Sequence, residues 1–269
     1  MCLAVIAYQA HPDWPLMVIA NRDEFYERPS AIMHPWQDQP GLLAGQDLRA
    51  GGTWLGLTDS DRFALLTNVR DPKTNKTGTP SRGELPESFL KTSKPAKDFM
   101  HALSSVADQY NGFNLLVSDG DELWHGSNHQ TPFAQAVKPG VHGLSNALLD
   151  TPWPKTVRTR QKLANYIKNM SSPCSSSLLD MMLDREGAPD DQLPDTGIRL
   201  ERERLLASPF IVSPDYGTRC VTIALRRADG FWWVQEDSYS STGRLANRTR
   251  WTRSGDTSWR ASHVEPGSL

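Results

Sequence analysis

Along the first half of the chain, apolar residues come in short runs bounded by turn residues, which is the pattern of strands. Leu3 to Tyr8 and Leu16 to Ala20 are two such runs, separated by His11-Pro12-Asp13-Trp14-Pro15, and they predict a hairpin. Both are continuously apolar rather than alternating, so each strand is expected to be covered on both faces. Trp54 to Leu57 and Phe63 to Thr67 predict a second hairpin around Thr58-Asp59-Ser60-Asp61. Gly51 and Gly52 precede it, where the backbone turns tightly or approaches a neighbour closely. Further strands are predicted at Phe113 to Ser118 and Glu122 to His125, at Val141 to Ser145, and at Arg219 to Arg227 and Phe231 to Glu236. Asp119-Gly120-Asp121 and Ala228-Asp229-Gly230 supply turns for the two paired sets.

Helical spacing takes over between these strands. Ser81 and Glu84 are spaced as a capping box ahead of Leu85, Phe89 and Leu90, with Pro86 shortening or kinking the helix. Pro95 suits the first turn of a second helix, whose stripe is Phe99, Leu103, Val106 and Tyr110. Pro154 to Asn169 predicts a longer helix with a basic outer face of Lys155, Arg158, Arg160 and Lys162, read as solvated. Leu178 to Leu183 predicts a short one, and residues 70–80 and 187–197 read as polar loops. Strands, then helices, then strands again predict an α+β fold of antiparallel sheets with helices outside. Double coverage of the strands fits four layers: helices, sheet, sheet, helices. One domain is expected over residues 1–243. Residues 244–269, poor in aliphatics and rich in Arg, Ser and Thr, are expected as a C-terminal surface tail.

Composition narrows the function. With 29 Lys plus Arg against 31 Asp plus Glu among 269 residues, the basic footprint of a nucleic-acid partner is missing. No apolar run approaches roughly 18 residues, so no membrane span is expected. The first residues lack the basic region and cleavage site of a secretory signal, and the expected location is cytoplasmic. Cys2, Cys174 and Cys220 form no C-x-x-C pair, which argues against a disulfide framework or thiolate zinc site. His125 and His129 are four apart, but Gly126 and Ser127 between them read as a turn. They are taken as unrelated surface residues, and no metal or resident cofactor is expected.

Position 2 carries the sharpest chemistry. Removal of Met1 would leave a chain beginning with cysteine, one residue bearing both a thiol and a free α-amine. The amine, with a reference pKa of about 7.7–8.0, can take the proton of a thiol at about 8.5. That unites nucleophile and base in one residue. The second strand ends in Asn21-Arg22-Asp23-Glu24, where alternation sets Asn21 and Asp23 on one side and Arg22 and Glu24 on the other. A carboxylate there could orient the amine, and an arginine could hold a substrate carboxylate.

Those residues belong to a wider set. Met1-Cys2-Leu3, Asn21-Arg22-Asp23-Glu24, Gly51-Gly52-Thr53-Trp54-Leu55-Gly56, Thr67-Asn68-Val69-Arg70, Ser81-Arg82-Gly83-Glu84-Leu85, Gly143-Leu144-Ser145-Asn146 and Tyr216-Gly217-Thr218-Arg219 span nearly the whole chain. Together they resemble the NRDE family of transport-and-Golgi-organisation proteins. The resemblance implies an N-terminal-nucleophile hydrolase-like αββα sandwich. It also implies kinship with bile-salt hydrolases and penicillin V acylases, which use an N-terminal Cys, an Arg and Asp three apart on the second strand, two Asn and a late Arg. Carried over, Cys2 is the nucleophile, Asn68 the oxyanion donor, Asn146 a positioning amide and Arg219 the late arginine. The second strand departs from the Arg-x-x-Asp pattern: if Glu24 takes the Asp place, Asn21 replaces the Arg, and a one-residue slip changes the assignment. Asp23 is taken to orient the amine, with Asn21, Arg22, Glu24 and Trp54 as substrate-binding residues.

The first reading is therefore an amidohydrolase acting on the carbon–nitrogen bond of an acylated small molecule. The alternative implied by the resemblance is a non-catalytic carrier of haem, lipid or acyl-CoA, although the chain has no Cys-Pro pair and no C-x-x-C-H motif. A third is an interaction scaffold on the same fold. Substrate identity and oligomeric state are not encoded in these motifs.

Overall fold

A computed structural model describes residues 2–255 and 257–266. The first hairpin is β1 (Ala4–Tyr8) and β2 (Leu16–Phe25). β2 continues past its apolar stretch through Asn21-Arg22-Asp23-Glu24, because a long late strand pairs with it from Leu16 to Phe25 and keeps those backbone groups bonded. That partner belongs to a sheet completed by the following elements in space. β10 (Gly140–Leu144) flanks β1. β11 (Tyr216–Arg226), β12 (Trp232–Tyr239), β13 (Leu245–Arg253) and β14 (Arg260–Ala261) follow beyond β2. The second sheet runs in chain order from β3 (Ser30–Pro35), β4 (Leu42–Asp47), β5 (Leu55–Thr58) and β6 (Phe63–Asn68) to β7 (Phe113–Ser118), β8 (Leu123–Ser127) and β9 (Ala134–Ala136). Neighbouring strands in both sheets are antiparallel.

Helices close the outer faces. α1 (Glu84–Leu90) and α2 (Ala96–Ser104) lie on the second sheet; α3 (Pro154–Asn169) and α4 (Ser175–Met182) lie on the first. A short α5 (Leu200–Leu205) precedes β11. Three cores separate the layers. Leu3, Val5, Met17 and Ile19 pack against Leu163, Leu178 and Met182 of α3 and α4. Ala4, Ile6, Val18 and Val234 meet Leu43, Leu55, Leu65 and Leu116 of the opposite sheet. Ala44, Ala64, Leu115 and Val117 pack under Leu85, Phe89 and Met100. Successive residues of β1 and β2 thus enter different cores, which is why their sequences are continuously apolar. The four-layer αββα arrangement expected from the strands is the one observed. Among the described residues no helix is long and apolar enough to cross a membrane.

The differences have local causes. No capping box forms at α1: Gly83 is the N-cap, Ser81 accepts from the Gly83 amide at 3.3 Å, and Glu84 accepts from the Tyr110 hydroxyl at 2.5 Å. Pro86 sits in the first turn of α1, where its missing N–H is harmless. The Gly51-Gly52 signal is a close approach, since a Cβ on Gly52 would stand 2.4 Å from the Gly83 backbone. α2 ends at Ser104 and Val106 is exposed, so the lower half of the expected stripe is a 3₁₀ turn at Ala107–Gln109. Of residues 244–269, the expected surface tail, the described ones lie largely at the surface, but β13 and β14 tie them into the first sheet and Trp259 packs into the core between the sheets. The 187–197 loop is anchored, with the Thr196 amide donating to Glu203 at 3.0 Å.

His125, expected at the surface, is fully buried on β8, its Nε2 3.3 Å from Asn114 Oδ1. Burial pushes its imidazole down to about 4. Its folded value lies below its unfolded one, so its contribution to stability is present above about pH 6.5 and lost as pH falls through about 4. The loss amounts to about 3 kcal/mol over that window. Urea midpoints of wild type and His125→Gln, taken between neutral pH and pH 4, should converge as pH falls. Parallel curves would show that His125 is not the acid-sensitive group.

Candidate active site

The site begins with an asparagine. The Asn21 amide donates to the Leu3 carbonyl at 2.9 Å, the Leu3 amide donates to Asn21 Oδ1 at 2.6 Å, and Asn21 Nδ2 donates to the Pro209 carbonyl at 2.5 Å. Asn21, expected to bind substrate, instead ties the start of the chain to β2 and to the segment before β11. It points to the helix side and does not line the cavity described next.

The β1–β2 register pairs Ala4 with Ala20, and continuing it outward sets Cys2 across from Arg22. Alternation then divides the polar strand end. Asp23 is buried on the helix side, where Thr218 Oγ1 donates to its Oδ1 at 2.7 Å. Arg22 and Glu24 face the second sheet. Burial pushes the Cys2 thiol above its ordinary range and the Asp23 carboxylate adds to the rise; the nearby Asp23 backbone amide and Arg22 oppose it.

Cys2, Arg22, Asp23, Glu24, Trp54 and Asn68 line one cavity of about 340 Å³, together with Arg28, Asp47, Arg49 and Arg82. Arg22 lies over the Trp54 ring at 4.5 Å and donates to Asp47 at 3.0 Å. Asp47 also accepts from Arg28 at 2.6 Å and from the Arg49 and Ala50 amides. Burial alone would raise that carboxyl, but these donors hold it below the usual carboxylate range. Glu24 stands 4.0 Å from both Arg22 and Arg28.

Asn146 is one layer behind Asn68. It is buried, and its Nδ2 donates to the Asn68 carbonyl at 2.9 Å. Its neighbour Ser145 donates to the Cys2 carbonyl at 3.0 Å and accepts, through its own carbonyl, from Thr67 at 2.7 Å. The exit of β10 therefore braces Cys2 and Asn68 rather than facing the cavity. Arg219 is not brought to Cys2. A bulge between Thr218 and Cys220 takes it out of the strand's register, and it donates to the carbonyls of Phe25 at 3.0 Å and Arg28 at 3.1 Å. The arginine beside the sulfur is Arg22.

Sequence reasoning missed several members. Lys155 was read as part of a solvated face, yet it is buried and donates to the Leu206 carbonyl at 2.8 Å. Burial pushes its ammonium down to about 8, with the Asp23 carboxylate opposing the fall. Burial also raises Asp23, and Lys155 and Thr218 hold it back. The only sequence signal was that Lys155 sits in the first turn of α3, directly after Pro154. Arg70 pairs with Glu203 at 2.9 Å, both buried, and stacks over Trp153 at 4.6 Å. This pins α5 and the loop before it to the end of β6. Among the described residues no cluster of three His, Cys, Asp or Glu converges as a metal site.

Residues 1–241 match the family described as Transport and Golgi organisation 2. The Homo sapiens Transport and Golgi organization protein 2 homolog is 33% identical over 249 residues, covering 86% of this chain and 90% of that protein. The Bos taurus homolog is 31% identical over 270 residues, covering 93% and 96%. Among solved structures, a mutant of the conjugated bile acid hydrolase from Clostridium perfringens superposes with a TM-score of 0.53 at 8% identity. It covers 98% of this chain and 97% of that one. At that identity the likeness is one of fold, the N-terminal-nucleophile hydrolase sandwich.

The three thiols are held differently, which predicts an order of reactivity. Cys174 is exposed, and hydrogen bonds from Ser176 and Ser177 lower it; Cys2 is raised; Cys220, fully enclosed, is raised well above its usual value. On chain that retains Met1, iodoacetamide near neutral pH should modify Cys174 first, Cys2 later and Cys220 last, as read by peptide mapping. Faster modification of Cys2 than of Cys174 would contradict the burial argument.

Proposed function

The chain belongs to the Transport and Golgi organisation 2 family, and from that premise we propose that it is an N-terminal-nucleophile amidohydrolase whose working residue is Cys2 once Met1 is removed. The observation that carries this reading is Cys2 in the wall of a cavity that Arg22 and Asn68 also line.

In the proposed reaction the freed α-amine of Cys2 takes the thiol proton, and the thiolate attacks the amide carbonyl carbon. Asn68 donates from its side chain to the developing oxyanion. Collapse breaks the carbon–nitrogen bond; the leaving amine takes the proton back from the α-ammonium, and the acyl group stays on sulfur. Water, deprotonated by the same amine, then releases the acid and restores the thiol. Asp23, held by Thr218 and near Lys155, orients the amine. Arg22 offsets part of the cost of forming a thiolate in a buried place. Asn146 and Ser145 act through the backbone of Asn68 and Cys2. This is a proton-handling role for the resting state as well: a thiol raised by burial needs a base beside it, and the freed amine is that base.

A haem or lipid carrier would need a broad apolar wall. Four arginines and three carboxylates stand among the residues lining this cavity, and that polar wall favours the hydrolase reading.

The test is an amide-hydrolysis assay on Met1-free chain. Turnover should vanish in Cys2→Ala. In Asn68→Ala, kcat should fall by about 10²–10³ with the fold intact by circular dichroism. Turnover that survives Cys2→Ala would remove Cys2 as the nucleophile, and processed chain inert toward every acyl-amide offered would overturn the reading.

A further inference from the structure

The charges around Cys2 do not cancel, and this bears on what the cavity receives. Arg22 is 5% exposed, yet only its Nη2 reaches a carboxylate, Asp47 at 3.0 Å; its Nη1 is buried and has no hydrogen-bond partner among the described residues. Stacking on Trp54 fixes the plane of the guanidinium before any ligand arrives. A second arginine, Arg82, lines the same cavity. It donates to the neutral Gly112 carbonyl at 3.0 Å, and it makes no ion pair among the described residues. The carboxylates nearby are three against four arginines: Asp47 is held by Arg28, Arg22 and two backbone amides, Asp23 is turned to the helix side against Thr218, and Glu24 accepts from the Phe25 amide at 2.9 Å and stands 4.0 Å from both Arg22 and Arg28, outside hydrogen-bond reach of either.

Two guanidinium groups with unused donors, facing one small cavity, suit an oxyanion that accepts from both. The register sets Arg22 across the strand pair from Cys2, so such a group would lie only a few bonds from the carbon that the sulfur attacks. We infer that the substrates of this site are amides carrying a carboxylate or phosphate close to the scissile bond, recognised by Arg22 and Arg82. This rests on the hydrolase reading for the fate of the amide, but not for the recognition of the anion.

The inference separates from that reading in two measurements. One is equilibrium binding of a fatty-acyl glycine, a fatty-acyl ethanolamine phosphate and their neutral glycinamide and ethanolamide counterparts to the Cys2→Ala chain. The other is kcat and KM for the same four compounds on Met1-free chain. Each anionic compound should bind at least tenfold tighter than its neutral partner, with the preference shrinking as salt is raised. Arg82→Gln should cut the anionic-over-neutral ratio by about tenfold, mainly through KM, and Arg82→Lys should restore part of it. Arg22→Gln should shrink the anionic-over-neutral binding ratio of the Cys2→Ala chain likewise, and on the active chain it should lower kcat too, because the thiolate loses a nearby cation; should its tie to Asp47 prove essential to folding, the Arg82 pair carries the test. Which anion binds better tells a carboxylate substrate from a phosphate one. Selective, arginine-dependent binding without turnover would uphold the inference while the hydrolase reading failed. Equal binding and turnover of charged and neutral amides, or a preference untouched by both arginine substitutions, would overturn it.

Discussion

The pairing of β1 with β2, locked at its open end by Leu3 and Asn21, is the constraint on which the rest of the site depends. Because Asn21 answers Leu3 with both its backbone amide and its side-chain oxygen, the chain start cannot slide along β2. A slip of one residue would turn Cys2 to the other face of the sheet and exchange its neighbours. The same asparagine holds Pro209, so the segment entering β11 is fixed by the bond that fixes the chain start. Residues far apart in sequence meet at Cys2 because a single side chain sets their common register.

Strand alternation then sorts charge by function. Asp23 and its neighbours Thr218 and Lys155 lie on the helix side, while Arg22, Glu24 and Asp47 lie between the sheets. The thiol stands between a buried acidic environment and a cationic one. The enclosed carboxylates are answered, Asp47 by two arginines and two amides and Glu203 by Arg70 and Thr196. The remaining imbalance falls on Arg22 and Arg82, which line the cavity with Cys2.

The layered fold was legible where burial is complete. β1, β7 and α3 coincide with their apolar patterns because each buries a continuous run or a full stripe. β3 and β4 left no such mark: Ser30 to Pro35 is half-buried and interrupted by His34, and Gly45, Gln46 and Asp47 dilute the pattern of β4. Without β4, Asp47 could not be placed. β13 was read as part of a surface tail because its residues are mostly polar, as befits a strand with one face in water. At the site, Cys2, Asp23 and Asn68 were readable from their motifs. Arg219 was misplaced by a bulge that residue types alone do not reveal, and Lys155 by its neighbours Arg158, Arg160 and Lys162, which are half-buried to exposed and pair with Asp184 and Asp150. Sequence carries the side chain's chemistry; which way a strand end turns it depends on partners hundreds of residues distant.

The central claim is that the amine freed on Cys2 activates the thiol of the same residue. It is tested most directly by an acyl-amide analogue carrying an α-chloroketone at the scissile position, timed on chain with and without Met1 by intact mass and peptide mapping. The account predicts that alkylation falls on Cys2 and is faster by about 10²-fold or more once Met1 is gone, the scale of a positioned general base. Equal rates for the two forms, or alkylation at Cys174 instead, would contradict it.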